Sequence, residues 1–155
     1  MTNNIPILTN LVSVYVCKKV EGLAKFLILK RKSKYMFGLW QQVSGKIEED
    51  ETATQAAVRE IKEETGLTPE KLFSADIVET FFDADYNAIR INPIFVAIVS
   101  GDVDVTLSHE HSEFKWATAS EAKAHFSFYQ QRMPLDVIEQ EFILREPLQN
   151  LRINF

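Results

Sequence analysis

The stretch Gly45-Lys46-Ile47-Glu48-Glu49-Asp50-Glu51-Thr52-Ala53-Thr54-Gln55-Ala56-Ala57-Val58-Arg59-Glu60-Ile61-Lys62-Glu63-Glu64-Thr65-Gly66-Leu67 decides how this chain is read. Thr52 to Thr65 holds good helix formers with no proline or glycine, and Thr52 followed by Gln55 is a capping-box start. Gly66 marks the residue just past the helix, and Leu67 behind it can fold back onto the last turn. At about 100° per residue, Ala57, Val58 and Ile61 gather on one side and Glu60, Glu63 and Glu64 on another. Ala53 and Ala56 are expected on that acidic face, leaving room for something to approach. Like charges at i and i+4, such as Glu60 and Glu64, cost an isolated helix about 0.2 to 0.5 kcal/mol, so the cluster calls for a cation or for solvent screening. The spacing alone allows both a solvated face, with Arg59 and Glu63 as a surface pair, and a set of hard oxygen ligands suited to Mg²⁺.

Outward from this helix, Leu11 to Val16 and Phe26 to Leu29 read as a pair of strands joined through a turn at Lys18 to Gly22. Lys30 to Gly45 is basic, aromatic and glycine-containing, as a loop would be. Strand-like runs recur at Leu72 to Phe82, Ala88 to Val99 and Phe114 to Trp116. Helical composition returns at Ala119 to Ala124 and at Leu135 to Leu144, where Leu135, Ile138, Phe142 and Leu144 outline an apolar stripe. This mixed order predicts an α+β layered domain, and 155 residues suit a single domain spanning 1–155.

Composition is ordinary for a globular protein, with 46% apolar and 25% charged residues. No apolar run approaches the roughly 18 to 20 residues that span a bilayer, and the polar start Met1-Thr2-Asn3-Asn4 lacks the pattern of a secretion signal, so a cytoplasmic location without membrane contact is expected. Cys17, the single cysteine, sits in an apolar stretch and reads as a buried thiol. A net charge of −5 argues against a nucleic-acid polymer as partner. It leaves open a small phosphorylated ligand held through divalent cations.

From Gly45 the chain gives five residues, Glu51, seven residues, then Arg59-Glu60-Ile61-Lys62-Glu63-Glu64-Thr65-Gly66-Leu67. This resembles the signature of the Nudix hydrolases, G-x5-E-x7-R-E-U-x-E-E-x-G-U with U aliphatic, at all nine specified positions over 23 residues. The resemblance implies an α/β/α sandwich with a mixed sheet between helices, and Mg²⁺-dependent hydrolysis of a pyrophosphate linkage, with Mn²⁺ as a substitute ion. It places Glu60, Glu63 and Glu64 around the metal and adds the Gly45 carbonyl as a further contact. Arg59 would orient the glutamates, and Glu51 would support the loop or help bind metal.

Such enzymes take the general base from the helix or from a later loop. Here Ser108-His109-Glu110-His111 before Lys115-Trp116 resembles that loop, which nominates Glu110 as metal ligand or base. His109 and His111 read as solvated loop residues with substrate contact as the alternative. Arg31, after the second strand, either grips phosphate with its planar fork or belongs to a solvated basic turn. Trp40 either stacks on a substrate ring or packs.

Gly38-Leu39-Trp40-Gln41-Gln42-Val43-Ser44-Gly45, Glu110-His111 with Lys115-Trp116, and Val137-Ile138-Glu139-Gln140 resemble parts of bacterial dihydroneopterin triphosphate pyrophosphatases. That similarity implies a nucleoside or pterin triphosphate substrate. Hydrolysis of ADP-ribose, dinucleoside polyphosphates or other nucleoside diphosphate derivatives uses the same helix and stays open, as does a non-catalytic ligand sensor, although a sensor would be expected to have lost signature glutamates. Many proteins of this kind are dimers, and a homodimer is allowed.

Overall fold

The computed structural model describes residues 3–155, so Met1 and Thr2 of the polar start lie outside the described residues. Among those described, no helix is long and apolar enough to cross a membrane.

The strands are β1 (Ile7–Leu8), β2 (Leu11–Val20), β3 (Leu23–Arg31), β4 (Trp40–Gln41), β5 (Val43–Lys46), β6 (Lys71–Asp83), β7 (Ala88–Ile98), β8 (His111–Ala117) and β9 (Arg152–Ile153). The helices are α1 (Ala53–Thr65), α2 (Ala119–His125) and α3 (Tyr129–Ile138). β2 is the organising strand. One of its edges runs parallel to β7 from Ser13 to Cys17, and antiparallel partners take the rest, β5 against Leu11 to Val14 and β3 against Cys17 to Val20. β8 and β4 extend the sheet beyond β3, and β6 and β9 extend it beyond β7.

Alternation along the strands divides the core between two faces. Val12, Val14 and Val16 of β2 pack with Leu27 and Leu29 of β3 and with Ala56, Ala57 and Ile61 of α1. Tyr15 and Cys17 point the other way, with Phe26 and Ile28, against Ala119 and Ala122 of α2 and Leu135 and Ile138 of α3. The result is an α+β sandwich with a mixed sheet between helices, and Cys17 is a buried free thiol.

α1 begins and ends where its sequence says it should. The Thr52 hydroxyl accepts from the Gln55 amide at 3.1 Å while the Gln55 side chain accepts from the Thr52 amide at 2.8 Å. Gly66 closes the helix at φ 74°, a left-handed conformation that glycine adopts without steric cost.

Several expectations need correction. Ala56 is fully buried in the core instead of lining an open acidic face, and Ala53 packs partly against the same cluster. The loop expected from Lys30 to Gly45 contains the end of β3, all of β4 and most of β5, because sheet pairing to β2 and β3 outweighs its polar, glycine-containing composition. The strand read at Phe114 to Trp116 is longer and starts at His111, which is buried, not solvated. The last helix starts at Tyr129 and not at Leu135. Pro134 is tolerated inside it, near enough to the start that a single missing amide costs one bond within the second turn. From Glu139 to Ile143 the chain continues as a π-helical turn, in which the Leu144 amide donates to the Glu139 carbonyl at 2.9 Å, and Leu144 is left exposed.

Replacing Thr52 with alanine removes one arm of the capping box and is expected to lower unfolding stability by about 1 kcal/mol in urea titration. An unchanged midpoint would show that sheet packing alone sets the helix start.

Candidate active site

The site forms where β5 passes under the first turns of α1. Gly45 pairs with Val12 in the sheet, and the Glu60 side chain lies directly on it, so a β-carbon at position 45 would collide with the Glu60 carboxyl group. Glycine is therefore needed here for close approach, not for its backbone angles.

Arg59 ties the loop between β5 and α1 to the helix. Its Nε and Nη2 donate to the two oxygens of Glu51 at 2.7 and 2.9 Å, and Nη2 also donates to the Lys46 carbonyl at 2.7 Å. Nη1 donates to Glu60 at 2.8 Å and Glu63 at 3.2 Å. The Glu48 amide donates back to Glu51 at 2.9 Å. The two-pronged guanidinium contact lowers the Glu51 carboxyl to about 2, so this carboxylate stays ionised and the loop stays shut at any ordinary pH.

The three helix glutamates differ sharply in surroundings. Glu63 has a side chain 58% exposed, on the outer side of Arg59. Glu60 is largely covered, and burial outweighs its Arg59 contact to raise its carboxyl above the usual range. Glu64 is 3% exposed, and its Oε2 has no hydrogen-bond partner. Burial raises its carboxyl from 4.5 to about 9, helped by the nearby charges of Glu60 and Glu110 and opposed by Arg31 and a backbone bond from Ser44.

Glu110, in the loop just before β8, adds its charge to this group. Its carbonyl accepts from the Lys32 amide at 2.9 Å, which clamps the loop before β8 onto the end of β3, and its amide donates to Ser108 Oγ at 3.3 Å. Arg31 sits at the same end of β3, with Nε donating to the Tyr35 carbonyl at 2.8 Å and Nη2 to Ser33 Oγ at 2.5 Å. Glu60, Glu64, Glu110 and Arg31 are thus brought into one electrostatic neighbourhood.

Trp40 lies elsewhere. It is half-buried against the α2 and α3 side of the core, with its ring meeting His125 edge-on at 5.2 Å. His109 is exposed. His111, expected as a solvated loop residue, lies beside Arg31 in the sheet and is 2% exposed. Its Nε2 faces Gln41 Nε2 at 3.2 Å and its Nδ1 has no partner. Burial and the Arg31 charge lower its ring to about 4, leaving it neutral. Gln41, within Gly38 to Gly45, carries no local signal of this contact in the sequence.

The donor set suits a divalent cation. Oxygen ligands on carboxylates are what Mg²⁺ prefers, and a buried carboxylate with an unpaired oxygen beside two more carboxylates is destabilised until a cation compensates it. Among the described residues no three such side chains yet form a finished ligand set, since Arg59 draws Glu60 and Glu63 towards itself.

The model of the NUDIX domain matches residues 9–135, which takes in this loop, the helix, Glu110 and the sheet that carries them. The chain belongs to the Nudix family. The asymmetrical bis(5'-nucleosyl)-tetraphosphatase of Caenorhabditis elegans is 32% identical over 108 residues, 69% of this chain and 77% of that protein. Dihydroneopterin triphosphate diphosphatase of Escherichia coli strain K12 is 29% identical over 136 residues, 81% of this chain and 89% of that one. A crystal structure of a C. elegans Ap4A hydrolase binary complex superposes with a TM-score of 0.74 at 26% identity, covering 86% of this chain and 96% of that one. As a Nudix protein with its signature complete, the chain is a pyrophosphohydrolase acting on nucleotide-like substrates, and Nudix enzymes generally use a divalent metal.

The buried Glu64 makes a stability prediction. Its folded carboxyl titrates at about 9, above its ordinary 4.5, so the proton it holds stabilises the metal-free fold fully below about 4.5, and that contribution is lost as pH rises towards 9. With chelator present, Glu64→Gln is expected to be more stable than the parent at pH 8 and to lose less stability between pH 5 and 8. Mg²⁺ should raise the melting temperature of the parent and not of the variant. Identical pH dependence in the two proteins would contradict the burial of a charge at this position.

Proposed function

We propose that this Nudix enzyme hydrolyses a nucleoside or pterin triphosphate, with pyrophosphate as a product and Mg²⁺ as the cation, Mn²⁺ being able to replace it. The observation that carries the cation-dependent hydrolysis is the unpaired, buried oxygen of Glu64, which feels the charges of Glu60, Glu110 and Arg31. That neighbourhood combines carboxylates suited to cations with a guanidinium suited to phosphate oxygens.

Glu60, Glu64 and the Gly45 carbonyl would hold the cation, which when bound polarises a phosphoryl oxygen and lowers the pKa of water. Glu60 leaves Arg59 for this purpose, and Glu63 remains to balance the guanidinium. Glu51 keeps the loop anchored to Arg59 throughout, so the Gly45 carbonyl does not drift. Arg31 grips the phosphate chain with its planar fork. Glu110, on a loop and only half-buried, is free to take the proton from the attacking water. The water oxygen bonds to phosphorus as the bond to the departing pyrophosphate breaks, and the proton passes to the carboxylate. Trp40, already packed against His125, serves the core beneath α2 and not the stacking of a substrate ring.

A second reading, hydrolysis of a dinucleoside polyphosphate, is favoured by the tetraphosphatase relative and by the fit to the Ap4A hydrolase structure. Incubating the protein and Mg²⁺ with nucleoside triphosphates, dihydroneopterin triphosphate, Ap4A and ADP-ribose separates the two. Turnover of triphosphates to pyrophosphate and a monophosphate ester supports the first reading, whereas cleavage of Ap4A alone supports the second. Glu110→Gln is expected to lower kcat by about 10²-fold or more and to remove the acidic limb of the pH profile. An unchanged profile would exclude Glu110 as the base.

A further inference from the structure

We propose that the face of the sheet covered by α3 carries a recognition site for a 2-amino-4-oxopyrimidine edge, the ring edge that guanine and pterins share, built from Glu79, Asn92, Gln131 and Gln42. The proposal rests on the hydrolase reading above and adds the part of the substrate that the phosphate site cannot select.

The starting observation is a set of buried carboxamides with unmet hydrogen bonds. Asn92 is 3% exposed, and its Nδ2 donates to Glu79 Oε2 at 3.2 Å while its Oδ1 has no partner. Gln42 is 3% exposed, and its Nε2 donates to Ser13 Oγ at 2.7 Å while its Oε1 has none. Gln131 is 9% exposed with an unpartnered Oε1. Buried polar atoms are nearly always paired, because each orphan forfeits the hydrogen bond that water gave it. Apart from these three, the buried side-chain atoms without partners among the described residues are Glu64 Oε2 and His111 Nδ1, both near Arg31.

The three carboxamides belong to one region. Glu79 and Asn92 are direct neighbours across β6 and β7, and Ser13, which holds Gln42, pairs with Ile94 on the same strand as Asn92. The start of α3 is pinned over them, since Tyr15 on β2 donates its hydroxyl to the Gln131 carbonyl at 2.8 Å and the Gln130 side chain accepts from the Thr80 amide at 3.2 Å. The charge of Glu79 is felt at Tyr15, and burial raises the Glu79 carboxyl above its usual range. Phe128 and Tyr129 are exposed aromatics at the same end of α3. Gln42 stands three residues before Gly45, so one short segment leads from this region to the metal-facing carbonyl.

These groups are chiefly acceptors: one carboxylate and three carboxamide oxygens. A 2-amino-4-oxopyrimidine presents a ring N–H beside an amino group, two donors in line that fit a carboxylate in two-pronged fashion. Adenine presents an acceptor nitrogen in place of the ring N–H, which would set acceptor against acceptor. A paired contact of this kind discriminates between bases by about 10- to 100-fold.

The test measures kcat/KM with Mg²⁺ for GTP, dihydroneopterin triphosphate and ATP, in the parent and in Glu79→Gln and Gln131→Met, and binding of guanosine and adenosine in chelator by calorimetry. The parent is expected to favour GTP, the pterin triphosphate or both over ATP by at least tenfold, and each variant to shrink that ratio by tenfold or more. The preference between the first two tells which source of the edge is used. Equal kcat/KM for all three substrates, or variants that reduce all of them in proportion, would overturn the site. Should Glu79→Gln fail to fold, Gln131→Met, which removes the unpartnered carboxamide at similar side-chain size, decides alone. If no triphosphate is cleaved, the hydrolase reading fails, and the nucleoside binding still judges this inference: guanosine binding with adenosine excluded upholds it, and equal or absent binding of both refutes it.

Discussion

The burial of the Glu64 carboxyl group beside Glu60 and Glu110 is the constraint around which the rest of the molecule is arranged. A charge taken out of water must be compensated or neutralised. Arg59 cannot compensate it, because its fork is already committed to Glu51 and the Lys46 carbonyl, with Nη1 divided between Glu60 and Glu63. Arg31 helps from a distance but does not cancel the effect of burial. In the absence of metal the cluster holds a proton, and a divalent ion answers the same need while adding a reactive function.

The scaffold supplies what such a cluster requires. α1 is fixed at its start by the Thr52 cap, at its end by Gly66, and along its length by Ala56, Ala57 and Ile61 against the sheet. Small residues at 56 and 57 let the helix settle close to β2. Gly45 then lets Glu60 lie on the strand beneath. The loop between β5 and α1 is rigid because Arg59 and Glu51 lock it, which keeps the backbone carbonyl at Gly45 in place without a metal to hold it.

The helix, its caps and the carboxylate set were legible in the sequence because each depends on contacts within a few residues. The layered α+β architecture followed from the order of strands and helices. What escaped notice depends on long-range pairing. The burial of Ala56 and Glu64 is set by how deeply α1 sits on the sheet, which a helical wheel does not report. His111 reads as loop until β8 is aligned with β3, when it falls beside Arg31 and under Gln41. The start of α3 was hidden by Pro134, whose usual meaning is a helix boundary. The buried amides of Gln42, Asn92 and Gln131 give no local signal, since they come from separate elements that the fold brings together.

Under the proposed function, the buried carboxylates hold a divalent cation. Anomalous diffraction from crystals grown with Mn²⁺ tests it most directly. A strong peak is expected within about 2.5 Å of carboxylate oxygens of Glu60 and Glu64 and of the Gly45 carbonyl, with Glu60 released from Arg59. Crystals that take up Mn²⁺ elsewhere, or show Glu64 still without a ligand at saturating Mn²⁺, would contradict it.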